Sequence, residues 1–244
     1  MDYTALQVGA ILFVATFIRS AFGFGEALVA VPLLALFMPV TVAAPIAALV
    51  SVTVAGVVVV QDWRHVQWKS ALRLVLSTVA GIPLGLLLLT HAPEPVVKTV
   101  LALVIIAFSL HALRSGGWRL ASDATAWLFG VAAGILGGAY GMNGPPLAVY
   151  GSARRWSPAE FRATLQAYFL PASAAGMVGY WWVGLWTRSV TRIYLLSLPV
   201  VLAAAVLGRL AGQRMSVRRF MIAIYMGLLA IGVVLLIQAA RFHR

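Results

Sequence analysis

Arg19 and Glu26 are a guanidinium and a carboxylate seven residues apart, at the end of an apolar run that carries no other charge from Ala5 to Phe22. A charge in hydrocarbon costs at least about 2.5–3.5 kcal/mol on insertion scales, so it needs a use or a partner. A guanidinium fork matches oxyanions through several hydrogen bonds, which makes Arg19 a candidate anion contact. Snorkelling to lipid headgroups, or simple pairing with Glu26, is the alternative. Glu26 is the one carboxylate expected at that depth. It is either a structural partner for Arg19 or a group that takes up a coupling proton, since low dielectric favours the neutral acid.

Around these residues runs Ser20-Ala21-Phe22-Gly23-Phe24-Gly25, and a stronger version recurs as Gly137-Gly138-Ala139-Tyr140-Gly141-Met142-Asn143-Gly144-Pro145-Pro146. Irregular backbone survives at membrane depth only where protein or a wet cavity covers it. Two such breaks in matching places of two halves point to the binding site of a transporter. Gly23, Gly25, Gly141 and Gly144 permit turns closed to larger residues and let a ligand approach the main chain. The helix that follows each turn presents free N–H groups and a positive dipole end to an anion. Pro145 and Pro146 suit its first turn. Asn143 can donate its amide or adopt a left-handed backbone. Close packing through small residues is the competing explanation for Gly134, Gly137, Gly138 and Gly141. The candidate substrate-binding set is Arg19, Ser20, Gly23, Phe24, Gly25, Gly138, Tyr140, Gly141, Met142, Asn143, Gly144, Pro145 and Gln166, with Glu26 for coupling. Tyr168, Ser173, Ser51 and Thr53 are secondary polar candidates.

The elements that must position these residues are membrane helices. The chain is 62% hydrophobic and 10% charged, with mean hydropathy +0.98, against roughly 45–50% apolar in soluble domains. Its apolar segments are long enough to cross about 30 Å of hydrocarbon. The net charge of +12 is read as topology-setting loops and contact with anionic lipid, not nucleic acid. There is no cysteine, and His65, His91, His111 and His243 have no metal-ligand spacing. No nucleotide loop, catalytic-triad order or zinc signature is visible, so neither an enzyme nor a cofactor is expected. The first apolar run lacks a basic leader and a cleavage site, so it is read as a mature segment.

Ten segments are expected, near Ala5–Phe22, Phe24–Phe37, Val42–Val60, Lys69–Leu89, Glu94–Leu113, Ala124–Tyr140, Pro145–Ser152, Ala159–Val183, Arg188–Gly212 and Ser216–Ala239. The seventh is too short to span and the second is marginal. Each pairs with its predecessor as a re-entrant hairpin or a broken, tilted pair. Placing Gly23 on Gly141 puts Ser20 on Gly138, and Leu84-Gly85 then matches Leu207-Gly208 after a small loop insertion. Arg64, Lys69, Arg73, Arg114, Arg119, Arg154, Arg155, Arg162, Arg209, Arg214, Arg218 and Arg219 fall on one side. Lys98, Arg188, Arg192, Arg241 and Arg244 fall on the other. The richer side is cytoplasmic by the positive-inside rule, with both termini outside. Each half then crosses an odd number of times. The fold class is an all-α polytopic membrane protein of two inverted repeats of about five helical segments each, with broken or re-entrant helices at the glycine-rich motifs. Its units are residues 1–113, a cytoplasmic linker 114–123, and residues 124–244. Trp181, Trp182 and Trp186 read as an aromatic belt at the interface, and Trp63 and Trp68 read the same way.

The run from Gly134 to Pro146, with the looser Phe22-Gly23-Phe24-Gly25-Glu26 leading to Val31-Pro32-Leu33-Leu34, resembles the sulfite exporter TauE/SafE family over essentially the whole chain. Arg19-Ser20 and Glu26 stand where that pattern usually has small residues. The resemblance implies a bacterial-type inner membrane and transport of sulfite or organosulfonates such as sulfoacetate, often as export. The expected function is a secondary carrier working by alternating access, with a small anion, membrane lipid and a coupling proton as partners. A passive anion channel, or a carrier of another small organic anion, is the alternative.

Overall fold

The computed structural model describes residues 2–58, 65–114, 120, 122–212 and 217–241, and these form ten α-helices and no strand. The first five are α1 (Asp2–Phe22), α2 (Glu26–Leu34), α3 (Val40–Val58), α4 (Trp68–His91) and α5 (Glu94–Arg114). A 3-10 turn at Asp123–Thr125 leads into α6 (Ala126–Tyr140), α7 (Gly144–Ala153), α8 (Pro158–Trp182), α9 (Arg188–Gly212) and α10 (Val217–Arg241). Each expected segment is a helix. The second is shorter than expected, ending at Leu34 instead of Phe37, because the chain turns there ahead of Pro39. Residues 115–119 and 121 of the expected linker lie outside the described residues, as do Arg64, Arg214, Arg244, Trp63 and His243 and the side chains of Arg218 and Arg219.

Among the described residues four helices are long and apolar enough to cross a membrane: α4, α5, α9 and most of α10. By contrast α2 has 9 residues and α7 has 10, about 14–15 Å of helix, or half the hydrocarbon thickness. These two short helices follow the two glycine breaks.

Polar contacts gather helix ends into two groups. Asp123 accepts from Ser70 at the start of α4 (3.0 Å) and from Tyr150 of α7 (3.0 Å), and pairs with Arg154 at 3.0 Å. The Leu120 N–H donates to Ala153 O at 3.0 Å. Gln67 donates its backbone N–H to Thr164 (3.0 Å) and its side-chain amide to Glu160 (2.5 Å), tying α4 to α8. The chain therefore enters α6 and leaves α7 at the same place. Elsewhere, Leu36–Pro39, Glu94 and Lys98 of α5, and Gln238 and Arg241 of α10 surround a recess of about 460 Å³. Lys98 pairs there with Glu94 at 3.2 Å.

The main helix pairs are α4 with α6, α1 with α9, α5 with α10 and α3 with α8. The α4–α6 seam is made of glycine. A Cβ on Gly81 or Gly85 would collide with the carbonyl oxygens of Val131 or Ile135, and one on Gly134 or Gly138 with those of Thr78 or Ile82. Backbones this close gain packing where burial of apolar surface gives no advantage over lipid. On α9, a Cβ at Gly208 would lie 2.5 Å from Phe17 O and 3.0 Å from Ser20 Cβ of α1. Gly134 and Gly138 are thus packing residues, as the small-residue explanation expects, but Gly137 and Gly141 are used differently.

Candidate functional site

Both glycine breaks end a helix with a left-handed residue. Gly23 (φ 90°) stops α1, its N–H donating to Arg19 O at 2.6 Å. Gly141 (φ 63°) stops α6, its N–H donating to Gly137 O at 2.8 Å, and the Met142 N–H follows onto Leu136 O at 3.2 Å. A side chain at either position is strained by chirality. At Gly141 it would also meet Ala44 O at 2.8 Å. Gly25 (φ 101°) then opens α2. Asn143, by contrast, has a right-handed backbone at the start of α7, so its role rests on the amide and not on a left-handed turn.

The first break closes on a buried charge cluster. Arg19 and Glu26 are each 2% exposed and are paired through Arg19 Nη1 and Glu26 Oε2. Nη1 also donates to Ser51 Oγ of α3 at 2.6 Å, and Nη2 to Gln166 Oε1 of α8 at 3.4 Å. The Phe169 ring lies 4.8 Å from the guanidinium carbon, within cation–π range. The second Glu26 oxygen accepts from Thr16 at 3.4 Å. Gln166 also donates to Gly23 O at 3.0 Å, taking up a carbonyl at the break. Ser173 donates to Ser51 at 3.3 Å. Arg19 Nε has no hydrogen-bond partner. Arg19 therefore does not snorkel. Removing one partner of such a buried pair typically costs about 3–5 kcal/mol, because the other charge is left uncompensated.

The second break is neutral. Asn143 is buried, and its amide packs on Gly137, where a Cβ would lie 2.8 Å from Nδ2. The same amide donates to Tyr168 OH at 3.4 Å. Tyr168 shares a 2.7 Å hydrogen bond with Thr78 of α4, whose hydroxyl also reaches Gly130 O at 2.9 Å. Tyr180 donates to Gly137 O at 2.8 Å.

The breaks meet across α8. A Cβ on Gly144 would sit 3.9 Å from the Phe24 ring of the first break and 4.0 Å from the Phe169 ring. Phe169 thus has Arg19 over one face and the second break at its edge. Gln166, Tyr168 and Phe169 lie near the middle of the 25-residue α8, about 12–17 Å from its start. Arg162 and Phe161 cover the first break from the start of α8. A Cβ on Gly23 would meet Arg162 Cγ at 2.8 Å, and Phe24 stacks edge-on against Phe161 at 5.8 Å.

Of the sequence-derived residues, Arg19, Gly23, Phe24, Gly25, Glu26, Gly141, Asn143, Gly144 and Gln166 gather at the two breaks. Met142 and Pro145 are buried beside them. Three lie elsewhere. Ser20 faces α9, its hydroxyl without a partner. Gly138 faces α4. Tyr140 donates to Val97 O of α5 at 2.9 Å. Thr53 bonds Tyr194 of α9 at 2.7 Å instead of joining the cluster. Thr16, Thr78, Phe169 and Tyr180 were not singled out from sequence. Thr16 and Phe169 each lie three residues, one helical turn, from a residue that was, Arg19 and Gln166, and that spacing is the signal that finds them.

Residues 8–235 match the model of the family described as sulfite exporter TauE/SafE. The chain is 24% identical over 212 residues to a protein of Cupriavidus necator described as a probable sulfite/organosulfonate exporter TauE, covering 84% of this chain and 82% of that one. No solved structure matches.

Proposed function

The chain belongs to the sulfite exporter TauE/SafE family, and from that premise we propose that it is a secondary carrier moving small sulfur-containing anions, sulfite or organosulfonates, out across the inner membrane. The observation that carries the reading is a guanidinium 2% exposed, set beside two unwound points that meet at the middle of α8. Arg19, Ser51 and Gln166 hold the anionic head from the first break. Asn143 and the short helix α7 approach from the second. Glu26 supplies coupling.

Alternating access requires the two break-containing hairpins, α1–α2 and α6–α7, to open in turn, while the close-packed pairs that join residues 1–113 to residues 124–244, α4 with α6 above all, move as units. Two observations support inverted repeats. With Gly23 placed on Gly141, Phe17 and Ser20 correspond to Ile135 and Gly138. Gly208 packs against the first pair and its counterpart Gly85 against the second. In addition, the Asp123–Arg154 pair returns the end of α7 to the start of α6, as a re-entrant hairpin requires. The groups tied by Gln67, Ser70 and Asp123 then face the cytoplasm, and Glu94 and Arg241 face outside.

Burial of the charge cluster favours a carrier over a passive pore. Counterflow in proteoliposomes separates them. Unlabelled sulfite or sulfonate inside the vesicle accelerates entry of labelled substrate in a carrier. An unaltered rate means a pore.

A further inference from the structure

This inference rests on the proposed anion site and concerns the charge within it. Every face of the Arg19 guanidinium but one is taken. Nη1 is held by Glu26 and Ser51, Nη2 by Gln166, and Phe169 covers the plane. Glu26 in turn places one oxygen on Arg19 and the other toward Thr16. Nε is left without a partner but sealed from solvent, so an oxyanion that meets the guanidinium end-on, through Nη1 and Nη2, takes the place the Glu26 carboxylate holds on Nη1. Adding an anion while Glu26 stays ionised would leave two negative charges against one positive in a site that is nearly fully buried, and an uncompensated charge is costly there.

We propose that Glu26 is an internal substitute for the substrate, and that an anion displaces it from Arg19 only together with a proton that neutralises it. The balance is simple. The Arg19–Glu26 pair plus one anion and one proton becomes an Arg19–anion pair and a neutral Glu26, whose new O–H can be accepted by Thr16. The cluster has no net charge before or after.

Among the described residues, the groups hydrogen-bonded to the pair include no second carboxylate and no histidine, and the other charge described at the first break is the Arg162 guanidinium, whose stem packs over Gly23. From α1, α3 and α8, Glu26 and its partner meet Arg19, Thr16, Ser51 and Gln166. The short helix α7 carries no charged residue. Glu94 and Lys98 of α5 and Arg241 of α10 surround the turn beyond the far end of α2, at Leu36–Pro39. The exchange selects singly charged oxyanion heads, such as a sulfonate, hydrogensulfite or a carboxylate, because a doubly charged head leaves a charge unmatched. It also makes the empty and loaded forms equally neutral, so the empty carrier can return without cargo.

The test is calorimetric titration of the purified protein with methanesulfonate, which stays ionised throughout, in two buffers of different protonation enthalpy. The exchange gives uptake of about one proton per anion bound, and affinity weakening about tenfold per pH unit once Glu26 is ionised in the free protein. Glu26→Gln should bind with no proton uptake and no pH dependence. Binding by the native protein without proton uptake overturns the exchange, and needs no variant. So does uptake that persists in Glu26→Gln. If binding occurs without uptake yet is lost in Arg19→Ala, the anion site stands and only the exchange falls. If neither sulfite nor any sulfonate binds, the site reading falls and takes the exchange with it.

Discussion

The buried Arg19–Glu26 pair and the Asp123–Arg154 pair at a helix end are two different uses of charge in this molecule. Where α6 begins and α7 ends, Asp123 accepts from Ser70 and Tyr150 and pairs with Arg154. Burial alone would push its carboxyl up, but those hydrogen bonds and the charges of Arg154 and Arg73 outweigh it and hold the group below the usual carboxylate range. A depressed folded-state value means stability that is present above the unfolded value, near 3.9, and lost as pH falls through the folded one. Asp123→Asn should therefore lower the melting temperature in detergent at neutral pH. The loss corresponds to about 1 kcal/mol, given that charged hydrogen bonds of about 1.5–3 kcal/mol are discounted here for partial exposure. The gap between variant and native protein should close as pH falls below about 4. A gap that is constant from neutral to acid pH would mean that the carboxylate charge contributes nothing there.

At the scale of elements, the glycines divide into those that let helices touch and those that stop them. Gly85 and Gly138 face backbone carbonyls that cannot move without parting α4 from α6. Overpacking of this kind costs about 1–3 kcal/mol or more, so Gly85→Leu or Gly138→Leu should cut the yield of monodisperse protein and lower its melting temperature. Gly176→Ala and Gly227→Ala, where nothing lies within 4 Å of an added Cβ, should be silent. Equal effects in both sets would show that the seam is not close-packed. The helices and their breaks were legible in the sequence because apolar length and glycine–proline chemistry are local properties. Partner choice was not. Nothing local distinguishes Gly138, whose neighbour is α4, from Gly141, which is a left-handed stop. Tyr140 likewise reads as part of the motif but points to α5, because successive residues on a helix face different neighbours. Phe169 was invisible for the opposite reason: an aromatic residue in an apolar helix carries no mark until a cation is seen against it.

In the molecule as a whole, two helix breaks, one from each half, converge at the middle of α8 beside one buried guanidinium, the proposed holder of a small oxyanion. The composition and the glycine motifs led to the class and the family. The pairing of Arg19 with Glu26, Ser51 and Gln166 required the fold, because these residues come from α1, α2, α3 and α8. The most direct test is calorimetric binding of sulfite and a panel of sulfonates and carboxylates to purified native protein and to Arg19→Ala, with retained folding verified by the melting transition. The account predicts saturable binding of at least one sulfur oxyanion by the native protein, and a loss of a hundredfold or more in the variant, as for removal of a buried charged partner worth about 3 kcal/mol or more. Unchanged affinity in a folded Arg19→Ala protein would contradict it.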